Sequence, residues 1–198
     1  MGIRGRIKRW VETYKLYFDV TNLVPISRRY FIIGYFDGVI TIQGLILGAY
    51  LSGKASSELI ISAGIATAIA LGISSGWGAY EAERMEQRVA RKIQAKAMLK
   101  DVGGIIKRAH NFAIFISSLV HAVSPIIGAI FPILVFAFLP FKVALPISIG
   151  LGFGQLFAIG VFMGKTSGIN IIFAGLRLTL AGVLTLVAVT LLSPTHIS

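Results

Sequence analysis

The sequence contains no cysteine, and only eight of its 198 residues are acidic. The absence of cysteine excludes a disulfide framework and any metal or redox site with thiolate ligands. Charged residues make up only 14% of the chain, against roughly 25% in ordinary globular proteins. Because a soluble protein of this length needs more polar surface, the composition indicates a membrane protein rather than a soluble domain.

The motifs of the common catalytic sites are also missing. The chain has no P-loop and no HExxH segment, and it has no acidic cluster of the kind that holds metal in membrane-embedded phosphotransferases. The first residues are basic and amphipathic, without the short apolar core and cleavage site of a signal peptide. We therefore expect a protein that is not an enzyme and that holds no permanently bound cofactor.

Long apolar runs dominate the rest of the chain. A helix needs about 20 apolar residues to cross the hydrocarbon of a bilayer, and five runs are long enough. The predicted fold is an all-α membrane protein with five transmembrane helices. Gly44 and Gly48, and likewise Gly160 and Gly164, have the spacing that lets helix backbones approach closely. The predicted spans are approximately residues 30–52, 58–82, 110–139, 142–164 and 169–193.

Basic residues are concentrated in two places. Seven of the 19 precede residue 30, and eight lie between Arg84 and Arg108. Basic residues confined to alternate loops predict a cytoplasmic N-terminus, and they argue against nucleic-acid binding. We expect residues 1–29 to form an amphipathic surface helix, residues 83–108 a basic cytoplasmic connection, and residues 194–198 a tail on the opposite side. The predicted location is integral and multi-pass, in the plasma membrane if the source is prokaryotic.

Two ionisable residues lie inside predicted spans. Asp37 follows the start of the first span by about seven residues, hence roughly 10 Å below the cytoplasmic boundary at 1.5 Å per residue. A carboxylate there costs about 2.5–3.5 kcal/mol, so it usually belongs to a pathway, a relay or an ion pair. Arg177 lies at a similar depth in the fifth span. Two interpretations remain open: a stabilising pair with Arg177, or a cation pathway through Asp37.

Other polar residues near the membrane are secondary candidates. Glu81 and Glu83 lie where the second span ends, and carboxylates suit divalent cations such as Mn²⁺ and Fe²⁺. His121, deep in the third span, is either a proton relay or a neutral side chain bonded to a neighbouring helix. Thr41 and Gln43 follow Asp37 closely and offer further oxygens. Neutralisation by nearby arginines is the alternative interpretation for the glutamates.

Three segments in order resemble one family. They are an Asp-Gly-x-x-Thr motif at residues 37–41 after Arg29 and Gly34, the sequence Gly-Ile-Ser-Ser-Gly-Trp-Gly-Ala-Tyr at residues 72–80, and a last helix with a Ser-Gly start and Arg177. Together they are similar to the vacuolar iron transporter family over nearly all of residues 28–193. The chain looks like a short archaeal or bacterial member without the acidic cytoplasmic metal-binding extension.

The resemblance implies a homodimer in the bilayer that moves Fe²⁺ or Mn²⁺ out of the cytosol in exchange for protons. It also implies that Asp37 lines the metal path and that Arg177 has a structural role. Where the family has a methionine and a glutamate in the second helix, this chain has Ser75 and Ala79. We therefore expect an oxygen-rich path formed by Asp37, Ser75, Thr41, Glu81 and Glu83. Export of a small organic cation or polar metabolite, and a non-transporting membrane scaffold, remain the alternatives.

Overall fold

The chain is helical throughout the residues that the computed structural model describes, which are 17–18, 21–98 and 104–193, apart from short turns. Each of five helices contains a stretch that is long and apolar enough to cross a membrane. This confirms the all-α, five-helix fold predicted from the sequence. The helices are α1 (Leu23–Leu51), α2 (Ser57–Met98), α3 (Gly104–Phe138), α4 (Phe141–Ser167) and α5 (Ile171–Leu191).

The first three helices extend beyond the predicted apolar runs at the ends where basic residues are concentrated. Helix α1 begins at Leu23 rather than near residue 30, with Pro25 in its first turn, where a missing backbone N–H costs no helical hydrogen bond. Helix α2 continues to Met98 through the charged stretch, and α3 begins at Gly104. Charged residues propagate a helix as readily as apolar ones, so hydropathy alone marks the membrane part and not the helix end. Most of the predicted surface helix 1–29 and the tail 194–198 lie outside the described residues.

Tight turns connect the last helices. Gly168 adopts a left-handed backbone with φ 69° at the end of α4, where its N–H donates to the carbonyl of Gly164. Asn170 then caps α5, because its side-chain oxygen accepts from the N–H groups of Ile172 and Phe173 at 3.0 and 3.2 Å. A connection this short makes α4 and α5 antiparallel neighbours.

The described residues group into two compact units, and the first combines residues up to Phe31 with Ser74–Ala122. Here α2 and α3 approach closely, since a Cβ on Gly76 would fall 2.6 Å from the Cβ of Ala122. The rings of Tyr17 and Phe18 pack against Phe112 of α3, with centroid separations of 5.9 and 6.2 Å. Aromatic packing therefore holds the start of the described chain on α3.

The second unit combines Ile32–Ile73 with Val123–Ser198. Both glycine pairs singled out in the sequence contact α5 in this unit. A Cβ on Gly44 or Gly48 would lie 3.9 Å from side-chain carbons of Val189, and one on Gly160 would lie 2.6 Å from the carbonyl oxygen of Ala174. The core of the unit consists of Ile42, Ile46, Ile60, Ala68, Ala129, Ile133, Phe136 and Ala144.

Candidate functional site

Asp37 lies half-buried on α1 in the second unit, one helical turn before Thr41. The backbone of α1 is pressed against α3 at the next residue, because a Cβ on Gly38 would collide with the carbonyl oxygen of Pro125 and lie 2.7 Å from its Cα. One helical turn earlier, a Cβ on Gly128 of α3 would collide with the carbonyl oxygen of Tyr35. The turn of α1 that bears Asp37 is therefore held against α3 at backbone distance.

Asp37 shares a face of α1 with the glycines that contact α5. At about 100° per residue, Thr41, Gly44 and Gly48 all lie within about 40° of Asp37 around the helix axis. A Cβ on Gly44 would lie 3.9 Å from methyl carbons of Thr185 and Val189. The carboxylate of Asp37 thus projects from the α1 face that packs on α5.

The same contacts relate Asp37 to Arg177. Gly44 meets Thr185 and Gly48 meets Val189, so α1 and α5 run parallel in this region. Asp37 precedes Gly44 by about 10 Å and Arg177 precedes Thr185 by about 12 Å along their axes, at 1.5 Å per residue. The two residues therefore lie within about one turn of the same depth. The side chain of Arg177 is exposed in the single chain, and its ion pair with Asp37 stays a prediction.

Glu83 forms the centre of a second polar cluster, in the first unit. The hydroxyl of Tyr30 donates to Oε1 of Glu83 at 2.8 Å. A guanidinium nitrogen of Arg29 lies 3.7 Å from the same oxygen, and the Glu83 side chain is only 13% exposed. The guanidinium carbon of Arg29 also lies 5.3 Å from the centroid of the Tyr30 ring. A largely buried carboxylate is thereby balanced by one hydroxyl and one cation.

His121 joins this cluster through the backbone of Tyr30. Its Nδ1 lies 3.0 Å from the carbonyl oxygen of Tyr30, and the two rings are 4.9 Å apart between centroids. Because a carbonyl oxygen only accepts, Nδ1 carries the hydrogen in this contact. The geometry matches a histidine that is bonded to a neighbouring helix, which was one of the two interpretations from the sequence.

Glu81 lies elsewhere on α2. Two residues turn a helix by about 200°, so Glu81 and Glu83 project on nearly opposite sides. Glu81 is 53% exposed and its oxygen lies 3.7 Å from a nitrogen of Arg84, an exposed pair of the kind that contributes little to stability. Of the two α2 glutamates expected in the path, Glu83 is the enclosed one. Ser75, also in the first unit, is half-buried on the same helix.

Two glutamines lie in the interior of the second unit. Nε2 of Gln43 donates to the carbonyl oxygen of Ile149 at 3.0 Å. Nε2 of Gln155 lies 2.8 Å from the hydroxyl oxygen of Tyr35 and 3.1 Å from the carbonyl oxygen of Gly128. Gln155 was not among the residues predicted from the sequence, although it is the single amide side chain within the apolar run 142–164.

The described residues contain no group of three or more histidine, aspartate or glutamate side chains that could hold a metal ion. On α1 itself, the hydroxyl of Thr41 lies one helical turn from Asp37 on the same face.

Comparison with known proteins identifies the family. The profile of the VIT family matches residues 28–101 and 81–193, which together cover most of the chain. The chain belongs to the VIT family. It is also 34% identical over 154 residues to an uncharacterized protein of Methanocaldococcus jannaschii, an alignment that covers 76% of this chain and 80% of that protein.

VIT family membership indicates the functional class of this five-helix protein. The family consists of membrane metal-ion transporters and is not an enzyme family, and the chain has the multi-pass helical architecture that such a protein needs. The resemblance noted from three short segments is thereby confirmed over the region from residue 28 to residue 193. The archaeal relative agrees with a short prokaryotic-type VIT family member.

Proposed function

We propose that the protein is a homodimeric, proton-coupled transporter that moves Fe²⁺ or Mn²⁺ out of the cytosol, with Asp37 as the central residue of the metal path. VIT family membership supports the transporter class. The observation that carries the proposal is Asp37 itself, a half-buried carboxylate within a membrane-spanning helix. Such acids are costly in a bilayer and belong to ion or proton pathways.

The chemistry follows from one carboxylate with two competing ligands. A divalent ion binds the ionised form of Asp37, whereas a proton from the opposite side displaces it. Oxygen ligands suit Mn²⁺ and Fe²⁺, and Thr41 on the same face adds a hydroxyl. Metal release in exchange for protons then requires no further chemistry from the protein.

Helix α5 supports the homodimer. Its apolar span is the least buried of the five, with 17% of the residues in its most apolar window buried inside the chain. Arg177 is its one charged residue, and that side chain is exposed. A cation facing lipid costs about 2.5–3.5 kcal/mol on insertion scales, and a second copy packed on α5 would remove it from lipid.

The test is metal uptake into liposomes. Purified protein should accumulate Mn²⁺ only when the lumen is more acidic than the medium, and the isosteric Asp37→Asn should reduce uptake to the level of empty vesicles. Glu58→Gln is the matched control, because Glu58 is an exposed acid in the first turn of α2 and outside the expected path, and it should transport within about twofold of the unmodified protein. Undiminished uptake by correctly folded Asp37→Asn would refute the assignment.

A second candidate function is export of a small organic cation or polar metabolite. The serine and alanine at positions 75 and 79 motivate it, since the family's methionine and glutamate are absent there. Competition separates the two functions: excess Mn²⁺ should not reduce the flux of an organic substrate that uses a different set of contacts.

A further inference from the structure

Gln43 and Gln155 each keep one polar atom without a partner in the interior of the second unit. Their side chains are 1% and 9% exposed. The amide oxygen Oε1 of each is buried and accepts no hydrogen bond from the described residues. Buried polar atoms of folded proteins usually have a partner, and the exceptions point to a bound water, an ion or a functional role.

Rotating either amide group by 180°, which exchanges its oxygen and nitrogen, would not satisfy both atoms. Gln43 contacts the carbonyl oxygen of Ile149, and Gln155 contacts that of Gly128. A carbonyl oxygen accepts only, so the NH₂ group must face it in both cases and the amide oxygen must point away. Pro132 explains one of these contacts, because a proline lacks the N–H that would otherwise bond to Gly128, four residues earlier in α3.

Both amides lie deep within the membrane-spanning helices. Gln43 precedes the end of α1 by about 12 Å, and Gln155 lies about 18 Å from the nearer end of α4, at 1.5 Å per residue. Ser148 begins and Gln155 ends a segment of α4 about 10 Å long. Ser148 is fully buried and donates to the carbonyl of Pro132 at 2.8 Å. We call the residues Gln43, Ser148 and Gln155 the polar seam.

The seam lies on a different face of α1 from Asp37. Gln43 is displaced from Asp37 by about 240° around the helix axis, and Tyr35, the partner of Gln155, by about 200°. The contact atoms of the seam are neutral oxygens and amide groups. Amide oxygens alone leave the charge of a divalent ion unbalanced, since such ions are usually held by at least one carboxylate, whereas these oxygens are good partners for water.

We propose that the amide oxygens of Gln43 and Gln155 bind internal water, which makes the polar seam a hydrated route between α1, α3 and α4. Its use as the path of the coupled proton rests on the proposed function. Protons then move through the seam by exchange between hydrogen-bonded waters, and the two glutamines neither gain nor lose a proton.

Isotope-edited infrared spectroscopy tests the hydration directly. Protein with ¹³C in the glutamine side-chain carbonyls is compared with Gln43→Met and Gln155→Met, which keep the length of the side chain. Each difference spectrum isolates one carbonyl stretch, since Gln87 and Gln94 contribute equally to both samples. Bands at the frequency of a hydrogen-bonded amide, which shift in D₂O, support the proposal. Bands at the frequency of a free carbonyl in an apolar solvent overturn it.

Cysteine labelling gives a second measurement that does not depend on the methionine variants folding. The chain has no cysteine, so Ser148→Cys introduces a single thiol in place of a hydroxyl. Ala144→Cys is the matched control, because both residues are 0% exposed and one turn apart on α4. A small water-soluble methanethiosulfonate should label the thiol at position 148 at least tenfold faster than the one at 144. Equal rates contradict a hydrated seam.

Transport separates this proposal from the proposed function. The double variant Gln43→Met with Gln155→Met should lower proton-driven Mn²⁺ uptake at least tenfold while leaving Mn²⁺ binding to the detergent-solubilised protein unchanged. If uptake is retained, the seam is not the proton path. If Asp37→Asn retains uptake, the metal assignment fails, and the infrared and labelling results still decide whether the seam holds water.

Discussion

Substitution of Gly38 by alanine should destabilise the protein through one contact. The added Cβ would lie 2.7 Å from the Cα of Pro125 and closer still to its carbonyl oxygen, all of them backbone atoms. Carbon atoms in contact are normally about 3.5–4.0 Å apart, so α1 and α3 must separate by about 1 Å. Overpacking of this kind costs about 1–3 kcal/mol, against at most about 1 kcal/mol gained from the helix propensity of alanine.

Gly44→Ala is the matched control, since it makes the same chemical change on the same helix. The nearest side-chain atoms would lie 3.9 Å from the new Cβ, which is ordinary van der Waals contact, so we expect a neutral or slightly stabilising effect. The gain in helix propensity is common to both variants, so they should differ by the overpacking cost of about 1–3 kcal/mol in the free energy of unfolding. Reversible unfolding in mixed detergent micelles, followed by circular dichroism, measures both. Equal stabilities would refute the close α1–α3 approach.

Two further predictions concern polar contacts. A double-mutant cycle of Tyr30→Phe and Glu83→Gln should give a coupling energy of about 1–2 kcal/mol in the same unfolding assay, because the hydroxyl donates to a largely enclosed carboxylate; Glu81→Gln, at an exposed pair, should change stability by less than about 0.5 kcal/mol. Asn170→Ala should cost about 1 kcal/mol by removing the cap of α5, whereas Asn170→Asp should keep most of it. A cycle with no coupling, or an alanine at 170 as stable as the aspartate, would contradict the respective contact.

The number of helices and their packing motifs were readable from the sequence because both depend on local pattern. Apolar runs of sufficient length identify spans whatever their neighbours are. The pairs Gly44 with Gly48 and Gly160 with Gly164 were recognisable as close-packing sites, yet the sequence could not show that both contact α5. The helix that a glycine pair contacts depends on how each helix is rotated about its axis, and that rotation is determined by the packing of all the helices together.

The rotation of each helix about its own axis also explains why the exposure of some residues could not be predicted from the sequence. Glu81 and Glu83 are the same residue type on the same helix, and only the orientation of α2 about its axis leaves Glu81 exposed and Glu83 enclosed. Tyr30 bonds to Glu83, which is 53 positions away in the sequence, and Gln155 bonds to Tyr35, which is 120 positions away. Such pairs leave no spacing signal in a single sequence, whereas the freed carbonyl of Gly128 follows directly from Pro132.

The contacts around Asp37 restrict how the proposed transporter can change its access. Helix α1 is held to α3 at backbone distance through Gly38, and it is joined to α4 by the amide of Gln43. Helix α5 is in turn packed on α4 through Gly160, again at backbone distance. Rotation of α1 alone would break its contacts with α3 and α4, and interiors packed this closely respond by rigid movement rather than by gradual deformation. Alternate exposure of Asp37 is therefore expected from movement of the second unit as a block against the other copy of the proposed homodimer.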